Sequence, residues 1–84
     1  MYRLVPDSAT LDQVAALPDA ALEAYAEVLG VVALTPWNGT PLHEDNPDGP
    51  VRRWTFGLGH AGQLVYLILE EQQEVHLLLV QWWA

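Results

Sequence analysis

The sequence has 84 residues, with eleven Asp and Glu against three Arg and no Lys, a formal net charge of −8, and no cysteine. That length allows one small two-layer core. Lack of cysteine removes disulfides, thiolate catalysis and cysteine-held zinc. The acidic balance works against nucleic acid, whose affinity comes from Lys and Arg neutralising phosphates. With 51% of residues apolar, most of the length is expected to fold.

Met1-Tyr2-Arg3 leads straight into a strand-like run rather than a signal peptide, and no apolar run reaches the ~18 residues of a spanning helix. A cytoplasmic protein with no membrane contact is the expectation. Tyr2 to Val5 reads as a first strand closed by Pro6. Asp7 or Ser8 can cap a helix beginning near Ala9, in which Leu11, Val14 and Leu17 recur at helical spacing and Asp12 and Gln13 turn outward. Pro18 interrupts this helix and suits the first turn of a second one. That second helix runs to about Leu34, with Leu22, Tyr25, Leu29 and Val32 as its apolar stripe and Glu23 and Glu27 in water. Gly30 within it reads as a close approach to the sheet. Thr35, before Pro36, ends the helix.

Pro36 to Pro50 is a loop rich in proline and turn residues, with Trp37 and Leu42 expected to pin it to the core. Beyond it, Val51–Trp83 contains three apolar runs separated by two short turns, which makes neighbouring strands antiparallel. Alternation puts Trp54, Phe56 and Leu58 on one face of the first run, and sets Leu64, Tyr66 and Ile68 against Val65, Leu67 and Leu69 in the second. In the third, Val75, Leu77 and Leu79 oppose His76, Leu78, Val80 and Trp82. The expected fold is α+β, a helical hairpin packed on one face of a three- to four-stranded antiparallel sheet, with residues 1–84 as a single domain.

One helical hairpin can cover one side of such a sheet, and the last two runs are apolar on both. The uncovered side should therefore meet a partner, a second copy of the chain, or its own loop. Val65, Leu67, Leu69, Leu78, Val80 and Trp82 are the candidate partner-binding residues. Given the net charge, the partner should be neutral or basic, or the contact mainly apolar.

The order strand, helical hairpin with Leu17-Pro18 at the joint, the passage Thr35–Leu42 reading TPWNGTPL, then three antiparallel strands resembles the RelE/ParE toxin superfamily. The resemblance implies two helices on one face of an antiparallel sheet, and an antitoxin as protein partner. Ribonucleases of that family carry basic groups on the open sheet face. Arg53 fits one such position, but Thr55 occupies the next, and Gln63 stands where an arginine is expected before the apolar-Tyr run ending at Tyr66. After the last strand, where the family continues into a basic tail, the sequence reads Trp82-Trp83-Ala84. The expectation is a toxin-like protein of a toxin–antitoxin pair that acts by binding protein, with catalysis lost. A ribosome-dependent endoribonuclease and a free-standing homodimer are the alternatives.

RNA cleavage would need positive charge near phosphate and a proton acceptor near the 2′-hydroxyl. The candidates are Arg52 and Arg53 for the first, and Glu44, His43 or His76 for the second. The plainer reading has both arginines solvated or paired with neighbouring acids. His43, Glu44 and Asp45 are metal-capable types, but consecutive loop residues make a poor ligand set, so neither metal nor cofactor is expected.

Overall fold

A computed structural model describes residues 1–83. Its elements are β1 (Arg3–Val5), α1 (Ser8–Ala15), α2 (Asp19–Leu34), a 3₁₀ turn at Pro36–Asn38, β2 (Thr40–Pro41), β3 (Val51–Phe56), a second 3₁₀ turn at Leu58–His60, β4 (Gly62–Leu69) and β5 (Glu74–Trp82). The strands form one sheet of five in the order β1-β5-β4-β3-β2. The expected α+β layout holds, with two more strands than the three long runs alone. The β2, β3, β4 and β5 neighbours are antiparallel, as their short connections require. β1 joins as a parallel partner of β5, so the sheet is mixed rather than wholly antiparallel, a pairing open to it because both helices and three further strands intervene along the chain. Among the described residues no helix is long and apolar enough to cross a membrane.

Asp7 caps α1: its carboxylate accepts from the Thr10 amide at 2.8 Å, and the Asp7 amide donates to the Thr10 hydroxyl at 3.0 Å. These bonds hold the Asp7 carboxyl below its usual range, the Thr10 amide contributing most. Pro18 caps α2 without a side-chain bond. The buried stripe of α2 is Ala21, Tyr25, Val28 and Val32, one step round from the expected stripe, so Leu29 is only half-buried and Leu22 is exposed. Gly30 is not the expected close approach to the sheet: it lies on the solvent side, and a Cβ there would meet nothing within 4 Å.

The core lies between α2, the Leu17 joint and one face of β3, β4 and β5, where Phe56, Leu64, Tyr66, Ile68, Val75, Leu77 and Val80 are buried. Burying each large apolar side chain contributes about 1.5–3 kcal/mol before entropy. One irregularity controls which residues reach it. The β4–β5 register slips at Val65/Tyr66, with Val65 opposite Leu79 and Tyr66 opposite Leu77, so Leu78 is an extra residue bulged out of the ladder. After this bulge the alternation of β5 changes phase. Val80 therefore joins Val75 and Leu77 beneath the helices, and Trp82 stacks on Phe56 at 6.1 Å between ring centroids. This corrects the expected facing of the third run.

β1 spans only three residues and leaves the rest of the β5 edge unpaired. There the Val80 amide donates to Gln13 Oε1 of α1 at 2.7 Å, so Gln13 faces inward to serve the sheet rather than water.

Candidate functional site on the open sheet face

The helices cover one face, and the register arranges the other into four rows. Thr55, Gln63 and Gln81 form a polar row at one end. Thr40, Arg53, Val65 and Leu79 come next, then Val51, Leu67, His76 and Val5. Leu69, Glu74 and Arg3 close the other end. The middle of this face is thus apolar, while its two ends are polar and ionic.

Hydrogen bonds tie each end. Gln63 Nε2 donates to Gln81 Oε1 at 3.3 Å, and the Thr55 hydroxyl lies 2.8 Å from His60 Nδ1. At the other end Glu74 pairs with Arg3 and, at 3.0 Å, with His76 Nε2. The contact with His76, followed by that with Arg3, holds the Glu74 carboxyl below its usual range.

Charge is sorted between the faces. Glu74 is the one carboxylate in the four rows, whereas the other acids sit on the helices and their caps, in the β2–β3 connection, or in the β4–β5 turn. Both exposed arginines, Arg3 and Arg53, are in the rows. The net charge of −8 therefore describes the helix side and the loops, and the expectation of a neutral or basic partner does not carry over to this face.

The four candidate catalytic residues are not brought together. Arg52 lies on the helix-covered face and is 7% exposed. Its guanidinium donates to the carbonyls of Gly49, Trp37, Gly39 and Pro47 at 2.8–3.1 Å and rests over the Trp37 ring, 5.1 Å from its centroid. It is neither solvated nor paired with an acid: it is the peg around which Pro36–Pro50 is wound. Trp37 and Leu42, the expected pins, are each 37% exposed. Tyr66 assists from below, donating to the Pro36 carbonyl at 2.7 Å, and its burial pushes the phenol up to about 12. Gly39 is required here, because a Cβ would collide with the Tyr66 hydroxyl.

Trp37 also donates to Glu70 Oε1 at 2.6 Å, as does the Tyr2 hydroxyl, and Gln73 donates to the second oxygen. The Tyr2 bond, then that of Trp37, holds the Glu70 carboxyl below its usual range. No sequence pattern marks this cluster, because Tyr2 and Trp37 lie far from Glu70 along the chain.

Arg53 is exposed on the open face, and its single side-chain bond among the described residues is a 3.4 Å contact from Nη1 to Gln63 Oε1. His76 is two strands away and two residues along, roughly 12 Å by strand spacing and rise. Glu44 stands exposed in the β2–β3 connection, with no ion pair among the described residues.

Of the candidate partner-binding residues, Val65, Leu67 and Leu69 lie on the open face. Val65 is only 6% exposed there, and Leu67 and Leu69 are half-buried. Leu78, at the bulge, is 42% exposed. Val80 and Trp82 belong to the covered face, a correction imposed by the bulge, and Trp83 is the exposed member of the terminal pair. Val5, Val51 and Leu79 take their place on the open side.

No protein-family model matches the sequence, and no curated protein does. Solved structures do match. The isolated E. coli RelE toxin is similar at 18% identity and a TM-score of 0.79, covering 100% of this chain and 86% of that one. The intact E. coli RelBE toxin–antitoxin complex is similar at 17% identity and 0.80, covering 100% and 99%. A RelE arginine-to-alanine mutant in complex with the antitoxin peptide RelBc is similar at 20% identity and 0.80, covering 99% and 84%. At these identities the likeness is one of architecture, and the chain has the RelE-like toxin fold over its full length.

Proposed function

We propose that this chain is the toxin-like member of a toxin–antitoxin pair, working by holding a protein partner on the open face of its sheet, without ribonuclease chemistry of its own. The observation that carries the reading is the make-up of that face. Its centre is Val51, Val65, Leu67 and Leu79, and one arginine there, Arg53, has no carboxylate partner among the described residues. Phosphodiester cleavage needs several cations and a proton acceptor converging on one phosphate. Arg52 is committed to four carbonyls, and His76 is bonded to Glu74 about two strands from Arg53, by the spacing of adjacent strands. The likeness to RelE in its complexes with an antitoxin supports a protein partner.

The test is co-purification of the tagged chain with the product of the adjacent reading frame, alongside a ribosome-dependent message-cleavage assay. Complex formation lost in Leu67→Glu, with no cleavage, is the expected result. Cleavage abolished by Arg53→Ala would replace this reading with the ribonuclease one. A tight dimer in dilution light scattering, indifferent to the neighbouring product, would replace it with self-association.

A further inference from the structure

β2 begins at Thr40, where the chain arrives from the Pro36–Asn38 turn, while the antiparallel β3 continues past it to Phe56. The divergence opens a cleft of about 350 Å³ at the sheet edge, lined by Asn38, Gly39, Thr40, Arg53, Trp54 and Thr55. Two features give it chemistry. Arg53 is the most lightly held of the three arginines: among the described residues its guanidinium has one long contact, 3.4 Å to Gln63 Oε1, whereas Arg3 pairs with Glu74 and Arg52 binds four carbonyls. Moreover, Leu42 bonds to Val51 across β2 and β3, so the alternation of the ladder turns the Thr55 amide outward past the end of β2. Arg53, Thr40 and the outward edge of Thr55 thus line one cleft, within reach of the guanidinium once it leaves Gln63.

We infer that this cleft is a carboxylate-binding site, and that its occupant is an Asp or Glu side chain on an extended, otherwise apolar segment of the protein partner. Arg pairs with a carboxylate through two parallel N–H donors, which a planar monoanion satisfies. Leu79, half-buried in the same row as Arg53, receives an apolar neighbour of that acid. A nucleic-acid strand fits less well: it brings a phosphate at every nucleotide and needs a run of cations, and Arg53 is flanked along β3 by Val51 and Thr55. The inference rests on the protein-docking reading of the open face and adds the chemistry of the partner.

The probes are the blocked pentapeptides Ser-Leu-Glu-Leu-Ser and Ser-Leu-Gln-Leu-Ser and a short oligouridylate, each titrated into the ¹⁵N-labelled chain. The Arg53 Nε–Hε signal and the Thr40 and Thr55 amides are the reporters. Losing a hydrogen-bonded charge pair corresponds to about tenfold or more in affinity. The Glu peptide should therefore bind at least tenfold more tightly than the Gln peptide, Arg53→Gln should erase that preference, and Arg53→Lys should retain part of it. Arg53 is exposed, so unchanged melting of the variants would separate binding from folding. Equal binding of the two peptides at the open face would overturn the carboxylate site while leaving the docking face standing. Oligouridylate perturbing these reporters where neither peptide does would overturn both. No response to any probe would overturn the carboxylate site.

Discussion

On the helix-covered side of the sheet Leu64, Tyr66 and Val75 are fully enclosed, whereas Leu67, Leu69 and His76, on the same strands, have no layer above them. The covered side excludes water by packing, and its buried polar groups are bonded internally, the Arg52 guanidinium and the Tyr66 hydroxyl to carbonyls and Thr10 to Asp7. The open side stays half-buried through its own neighbours, ringed by glutamines at one end and an ion pair at the other. The acids follow the same division, crowding the helix side and the loops. One sheet thus has a face that makes the fold and another, of different charge, that is available for contact. Net charge averages over both and describes neither.

Adjacent arginines test this division most directly. Arg52→Ala removes the donor of four carbonyls and should cost about 3 kcal/mol or more, since unmet buried polar groups each cost about 1–3 kcal/mol. Arg53→Ala should stay within about 0.5 kcal/mol of the parent, as surface changes do. Urea unfolding of the pair measures the contrast, and equal losses would mean that the faces are not distinct.

Deleting Leu78 probes the bulge. Removal of the extra residue leaves Leu77 opposite Tyr66 and Leu79 opposite Val65, so Val80 and Trp82 stay beneath the helices. The variant should fold with less loss than Arg52→Ala, and its Val80 amide should remain protected from hydrogen exchange. A strand without the bulge would instead turn Val80 and Trp82 outward on deletion, and the protein would unfold.

Acid separates the faces more gently. Asp7 and Glu70 are held below their usual 3.8 and 4.5 on the helix side, and Glu74 below 4.5 on the open side. Carboxyls depressed in the folded state contribute stability that is fully present above those usual values. It is lost as pH falls through the lower folded values. Glu74→Gln should lower stability at neutral pH and leave less of it to lose on acidification, so that its pH–stability curve approaches that of the parent at low pH, and Glu70→Gln should do the same while also loosening Tyr2 and Trp37. The smallest expected effect is Gly30→Ala, a gain of about 0.5–1 kcal/mol in thermal or urea unfolding, because the site is helical, exposed and open to a Cβ.

Much of this fold can be read from hydrophobic spacing and turn residues: both helices, their joint at Leu17-Pro18, and the three long strands. The faces of β5 are harder, because Leu77-Leu78-Leu79 carries no polar mark to show where the strand slips. A signal does exist in the parity of its polar residues. Glu74 and His76 occupy even positions and Gln81 an odd one, yet all three share a face, which requires one extra residue between them. The role of Arg52 was hidden for another reason. A buried arginine bonded only to carbonyls leaves no complementary residue type in the sequence, so it reads as solvated beside Arg53. The open-face rows become legible only once β1 is paired in parallel, since that brings Arg3 to Glu74 across seventy residues of chain.

Where β1 stops short, the side-chain amide of Gln13 stands in for a missing strand by capturing the Val80 N–H. That substitution blunts one flank of the sheet against self-templating, the route by which unpaired ladders seed fibrils. Any chain that extends this sheet is thereby turned toward the opposite flank, past the end of β2, and Gln13→Leu should make the protein more prone to aggregate through the flank it now guards.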